Sequence, residues 1–190
     1  MIRAGKLNRR VSLWRLPPDT LVPVKLAESW ASWRAKPDEG TTGFQTAPAP
    51  AGLRNPVPLE MRLRHRADLQ SGDYVTWDGR LAHIFALRDP NGKNSELIAS
   101  CHELIGHAAT YTPADDGSPV ATRAYLMHDT PYIAQTSQRI DYRLRIELPV
   151  FETGRAAPEA TVTVNATTYT LLGLIEQGDD GAVRAYWGRA

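Results

Sequence analysis

The chain has 190 residues, 42% hydrophobic and 23% charged, with a formal net charge of +1. That is ordinary globular material with room for one large domain or two small ones. No apolar run approaches the ~20 residues of a membrane span, and "MIRAGKLNRR" is followed by no apolar stretch, so it reads as no signal peptide. Cys101 is the one cysteine, which excludes an internal disulfide and fits synthesis in a cytosol.

The small net charge hides an asymmetry. Residues 1–104 carry 15 Lys and Arg against 11 Asp and Glu, a net +4, whereas residues 105–190 carry 7 against 10, a net −3. Opposite signs on the two halves suit head-to-tail contacts between copies or between halves; the plain alternative is two normally solvated surfaces.

In chain order, "RRVSLWRL" (Arg9–Leu16) alternates and stops at Pro17-Pro18, which predicts a first strand. "ESWASWRAKP" (Glu28–Pro37) also reads as a strand, although Trp30 and Trp33 at i, i+3 fit one face of a helix. Gly40–Pro58 has four prolines and three glycines. Such a stretch cannot build a regular element, so a long loop over 40–58 is expected. It is either an arm that touches something outside its own domain or a plain surface insertion.

"LEMRLRHR" (Leu59–Arg66) alternates cleanly, with Leu59, Met61, Leu63 and His65 on one face. The pattern predicts a half-buried strand with a basic outer face of Arg62, Arg64 and Arg66. "YVTWDGRLAHIF" (Tyr74–Phe85) is a hairpin around Asp78-Gly79. "RDPNGKNSELIASC" (Arg88–Cys101) adds a turn and a closing strand.

After "HELIGHA" the order begins again. "ATYTPADDGSPVATRAYL" offers two strands around an Asp-Gly turn, and His128–Gln138 reads as an irregular connection. "DYRLRIELPVF" (Asp141–Phe151) matches "LEMRLRHR" in its Arg-Leu-Arg core. "TVTVNATTYTLL" (Thr161–Leu172) repeats the hairpin of Tyr74–Phe85, and "GDDGAVRAYW" closes the series. The expectation is an all-β protein of two small barrels or sandwiches with little helix, related by internal duplication. Domains are expected at 1–104 and 110–190, joined by a connector at 105–109.

Candidate chemistry is sparse. The chain has no Walker loop, no G-x-G-x-x-G, no G-x-S-x-G and no H-E-x-x-H. Cys101, His102, Glu103 and His107 cluster, but their spacing matches no zinc pattern. Asp115-Asp116-Gly117 and Asp179-Asp180-Gly181 sit where turns are expected. Trp14, Trp30, Trp33 and Trp77 beside Arg62, Arg64 and Arg66 could form a base-stacking platform for a single strand; the alternative is that they are core. No catalytic, cofactor-binding or metal residues are assigned, and the chain is read as no enzyme.

The order "RAGKLNRRVSLWR", "ESWASWRAKP", long loop, "MRLRHR", "SGDYVTWDGRLAHIFALRDPNGKNSELIASC" resembles the phage head–tail adaptor family, the head-completion or stopper proteins of tailed phages. Asn8 replaces a usual basic residue or His, Ala82-His83 replaces the aromatic, and the 40–58 loop is longer. Residues 110–190 are similar to the lambda-type head–tail joining proteins through "YTPADDGSPVATRAYL", "RIDYRLRIELPVF" and "ATVTVNATTYTLLGLIEQGDDGAVRAYW". Glu159-Ala160 stands there for the usual Gly-Asp.

The resemblance implies a virion structural protein, assembled in the host cytoplasm. It would form a neck ring of six or twelve copies that closes the filled head below the portal and offers the tail a surface. Implied partners are the portal or adaptor protein, a tail terminator or tail tube protein, and packaged double-stranded DNA contacted without regard to sequence; no cofactor and no membrane are implied. A tail-terminator ring is the nearest alternative, and a single-strand nucleic-acid-binding barrel the alternative of another class. For this job Phe44, Gln45 and Arg54 are candidate channel-gating residues of the loop. Lys6, Arg9 and Arg10 are candidates for docking on the portal or adaptor.

Overall fold

The structure is a computed structural model. It describes residues 7–35, 52–55, 57–115, 117–133, 140–176 and 180–190, the side chains of 129, 131–133 and 140–142 excepted. It is built almost wholly of strands. The chain divides into two compact units, 1–104 and 105–190, each a closed six-stranded barrel.

The first barrel comprises β1 (Arg9–Arg15), β2 (Val24–Ala35), β3 (Leu59–Arg64), β4 (Tyr74–Trp77), β5 (Arg80–Arg88) and β6 (Glu96–Glu103). Around its wall they run β1-β2-β3-β6-β5-β4, with β4 closing onto β1. Alternation decides which side chains go inside. Val11 and Leu13, Leu59, Met61 and Leu63, Val75 and Trp77, Ala82 and Ile84, and Leu97, Ala99 and Cys101 are all buried and form one core. Each large aliphatic side chain so enclosed contributes about 1.5–3 kcal/mol relative to leaving it in water.

The second barrel comprises β7 (His107–Thr112), β8 (Val120–Ile133), β9 (Ile140–Pro149), β10 (Thr161–Val164), β11 (Thr167–Ile175) and β12 (Val183–Arg189), with one helical turn, α1 (Val150–Thr153). Its order around the wall, β7-β8-β9-β12-β11-β10, is that of the first barrel strand for strand. Tyr111, Ile146, Leu148, Val162, Val164, Leu171 and Tyr186 fill it. With β7 beginning at His107, residues 107–109 of the expected connector are strand.

The repeat extends to backbone detail. The β4–β5 turn has φ 46° at Asp78 and 74° at Gly79; the β10–β11 turn has 48° at Asn165 and 65° at Ala166. Two positive φ values in a two-residue loop define a type I′ turn, whose twist matches that of a hairpin. Each following strand carries a bulge, between Ile84 and Ala86 in one barrel and between Leu171 and Gly173 in the other. The bulged residues, Phe85 and Leu172, both face solvent.

Two expectations need correction. His128–Gln138 is not an irregular connection from its start, because β8 continues through Ile133. Past Ala124, β8 has left β7 and has only β9 beside it, and a two-stranded ribbon can accept Pro131 where a central strand could not. The Arg-Leu-Arg match also aligns the wrong residues. Leu59 pairs with Cys101 and Leu144 with Gly188 at equivalent places, so Met61 corresponds to Ile146 and Leu63 to Leu148. Arg62-Leu63-Arg64 is therefore displaced by four positions from Arg143-Leu144-Arg145.

Candidate interaction surfaces

The outer wall of the first barrel holds most of the candidates. On β3 the inward residues are Leu59, Met61 and Leu63, so Glu60, Arg62 and Arg64 face out. Arg62 and Arg64 are exposed, as the alternation requires. Arg66 is not part of that face. The strand ends at Arg64, and Arg66 turns to Asp68, donating from Nε at 3.0 Å and from Nη2 at 2.6 Å.

Glu60 is the centre of the arrangement. It sits on the outer face yet is only 4% exposed. Arg34 of β2 donates to its Oε1 at 2.9 Å, and Arg88 of β5 donates to its Oε2 at 3.4 Å. Burial pushes the Glu60 carboxyl up, but the Arg34 hydrogen bond and the charges of Arg34, Arg88 and Arg62 outweigh it and hold it below the usual range. One shielded carboxylate thus positions two guanidinium groups that are themselves 68% and 62% exposed. With Arg62 and Arg64 they form a basic patch across β2, β3 and β5. Ile98, which pairs with both Arg62 and Arg88, is buried between them.

Arg34 and Arg88 escape a sequence reading because their approach to Glu60 depends on register. Arg34 is opposite Glu60 on β2, but Arg88 is two strands away and reaches Glu60 only through β6. The one local signal is that both lie at outward positions of alternating strands.

Arg9 and Arg10 open β1. Both are exposed, and both have partners within the barrel. The Arg9 guanidinium lies 5.2 Å from the Trp33 ring centroid and 4.0 Å from Asp78, and Arg10 pairs with Glu28. Arg10, Glu28, Thr76 and Asp78 line a shallow open cleft of about 550 Å³. Lys6, Phe44 and Gln45 lie outside the described residues. Arg54 is described, and it is not a loop tip. Its backbone bridges to Leu104, the Asn55 N–H donates to the Glu103 carbonyl at 2.8 Å, and Leu53 is fully buried. The Arg54–Leu104 bridge and the Asn55 hydrogen bond fix this part of the 40–58 stretch to the end of β6.

The remaining constellations disperse. Cys101 points into the core, where burial pushes its thiol up to about 12. His102, next along β6, points out and stacks on Phe85 at 4.5 Å. Neighbouring strand residues face opposite ways, so Cys101 and His102 cannot share a ligand. Among the described residues no group of three or more His, Cys, Asp or Glu could hold a metal ion.

Asp180 serves its turn, accepting from the N–H groups of Ala182 and Val183 at 3.0 Å each. Asp115 lies in the β7–β8 connection, and Asp116 is outside the described residues. The tryptophans are no common platform. Trp33 and Trp77 pack together with centroids 5.0 Å apart, Trp77 in the core. Trp14 donates to Thr76 Oγ1 at 2.9 Å, and only Trp30 is largely exposed, at 49%.

α1 is moored to β8. Glu152 accepts from Thr122 Oγ1, from the Arg123 N–H and from Arg123 Nε, all at 2.9 Å, which fastens the turn after β9 to β8. No family model matches the chain, and no curated protein and no solved structure matches it either.

Proposed function

We propose that the chain is a structural subunit of the neck of a tailed phage, a ring-forming head-completion protein that sits below the portal and offers the tail its attachment surface. The observation that carries this reading is the repetition. One barrel is built twice, with the same strand order, the same type I′ turn and the same bulge. Both halves also resemble, in their sequences, neck-protein families made of small barrels.

The physics of a ring suits such a chain. A closed ring of identical subunits needs two different, mutually complementary faces on each copy. Two barrels with the same frame and different surfaces supply them within one chain. Arg9 and Arg10 lie at the β1 end of the first barrel and are available to an acidic neighbour such as a portal or adaptor, at the cost of exchanging Asp78 and Glu28 for new partners.

The test is to mix the purified protein with portal-bearing heads of its phage and image them by negative stain. The expected result is added ring density beneath the portal. A monomer that leaves the heads unchanged and binds short single-stranded oligonucleotides at low salt would overturn the reading.

A further inference from the structure

We infer that the basic patch of the first barrel, Arg34, Arg62, Arg64 and Arg88, is the docking surface for the acidic end of the second barrel of another copy of this chain. The inference deepens the ring reading and rests on it for closure.

The patch has the properties of a prepared surface. Arg34 and Arg88 are held by shielded Glu60, so part of the entropy of ordering two long side chains is already spent in the free protein. Three cations, Arg34, Arg62 and Arg88, act on that carboxylate, and with Arg64 and the Glu96 opposite it on β6 the wall sets four guanidinium groups against two carboxylates, which leaves the patch positive. Guanidinium groups suit carboxylate partners, because their planar forks match carboxylate geometry.

The complement is written into the topology of the second barrel. Antiparallel pairing brings the finishing ends of β7, β9 and β11 and the starting ends of β8, β10 and β12 to one end. Asp115 lies just after β7, Glu159 just before β10 and Glu176 just after β11, and all three are exposed. Glu152 and Asp180 lie there too, the first paired with Arg123 and the second committed to its turn. Arg155 is the exposed cation among the described residues of the same connections. The corresponding end of the first barrel is balanced by the pairs Arg15–Asp73 and Arg66–Asp68. Among the described residues, the exposed acids of the second barrel's connections thus gather at one end, and the first barrel displays four guanidinium groups on its wall. A contact between unlike faces of two copies is heterologous, the kind that closes rings.

The experiment is a charge swap read by sedimentation velocity. The wild-type chain is expected to associate with rising concentration at about 50 mM NaCl and to dissociate at about 500 mM, where the Debye length has fallen well below its ~10 Å at 0.1 M. Arg62→Glu/Arg64→Glu and Asp115→Lys/Glu176→Lys should each weaken association by at least about tenfold. Mixed one to one they should restore it, since each then meets an oppositely charged partner. All four positions are exposed, and circular dichroism checks the fold. If a double variant fails to fold, Arg62→Gln/Arg64→Gln takes its place, with loss of association still expected.

A mixture of folded variants that stays monomeric overturns the inference, as does a wild-type chain that is monomeric at low salt. Loss of duplex DNA binding in the Arg62/Arg64 variant with association intact reassigns the patch to phosphate. Portal-bearing heads separate the two readings. Ring addition that survives the Arg62/Arg64 change sinks the docking surface alone, whereas charge-dependent association of a chain that ignores heads sinks the neck assignment alone.

Discussion

Glu159 occupies the backbone position in the second barrel that Gly72 occupies in the first. Their φ values are 67° and 96°. Each donates its N–H at 2.8 Å to the carbonyl of the residue before the bulge, Leu171 for Glu159 and Ile84 for Gly72. The next residue in each case, Ala160 or Asp73, exchanges a second hydrogen bond with the same strand. The second barrel keeps a glycine's conformation without the glycine, so it stores strain that the first barrel avoids.

Relief of that strain is measurable. A left-handed φ costs a residue with a Cβ about 1–2 kcal/mol, and glycine returns part of the gain through its freer unfolded chain. Glu159→Gly and Ala166→Gly should therefore each stabilise the second barrel by about 0.5–1 kcal/mol. Ala166→Gly is the cleaner probe, since it turns Asn165-Ala166 into the Asn-Gly pair preferred in type I′ turns. Thermal unfolding followed by circular dichroism checks it, and no increase in Tm would mean that the turn relaxes when the glycine is absent.

Asp73 is the point where the first barrel departs from the second. It is 1% exposed and accepts from Arg15 Nε and Nη2 at 2.8 Å each and from the Gln70 N–H at 2.8 Å. Ala160 replaces it in the second barrel. Asp73→Ala leaves the Gln70 N–H and Arg15 Nε without their acceptor, with Arg15 Nη2 keeping only the Asp68 carbonyl, and should cost about 2–3 kcal/mol, in the range for hydrogen bonds to charged groups. Because the loss is local, hydrogen exchange should accelerate in peptides of residues 1–104 and not in those of 105–190. The double variant with Arg15→Ala should cost less than the sum of the singles.

The hairpins and the places of their turns were legible because they are local: alternation sets the faces, and Asp-Gly or an Asn-led pair marks the turn. The closing strands were legible for the same reason. What stayed hidden depends on register. Glu60 reads as one more solvent-facing residue until β2 and β5 bring Arg34 and Arg88 over it. The extended β8 was hidden by Pro131, which argues against a strand wherever both neighbours need hydrogen bonds. The Arg-Leu-Arg match was persuasive and structurally empty, because a barrel fixes equivalence by core position, and Met61 and Ile146 are the residues that share one.

Glu60 also carries a pH signature. Its folded carboxyl lies below the ordinary value of 4.5. A depressed carboxylate contributes its stability in full above the unfolded value, and that contribution is lost as pH falls through the folded value. The first barrel should therefore lose stability on acidification from about pH 4.5 downward. Glu60→Gln should be less stable at neutral pH, by about 1 kcal/mol given the exposed partners, and should show a flatter acid limb. Urea midpoints of the two proteins between neutral pH and pH 3 check it, and parallel acid limbs would count against the ion pairs with Arg34 and Arg88.

Gly188 is the second barrel's counterpart of Cys101: half-buried, it lies opposite Leu144 as Cys101 lies opposite Leu59. A Cβ built there lies 2.5 Å from Ile146 Cδ1, 2.9 Å from Ile146 Cγ1 and 3.3 Å from Leu144 Cδ2. Gly188→Ala should cost about 1–3 kcal/mol, the range for one methyl forced into a packed core. The nearest clash is with the far end of a flexible side chain, so shortening that chain should relieve it. Ile146→Val alone should cost about 0.5–1.5 kcal/mol, but combined with Gly188→Ala it should cost clearly less than the two added together. Urea unfolding of the two single variants and the double closes the cycle. Strict additivity would mean that the barrel wall, rather than Ile146, moves to admit the methyl.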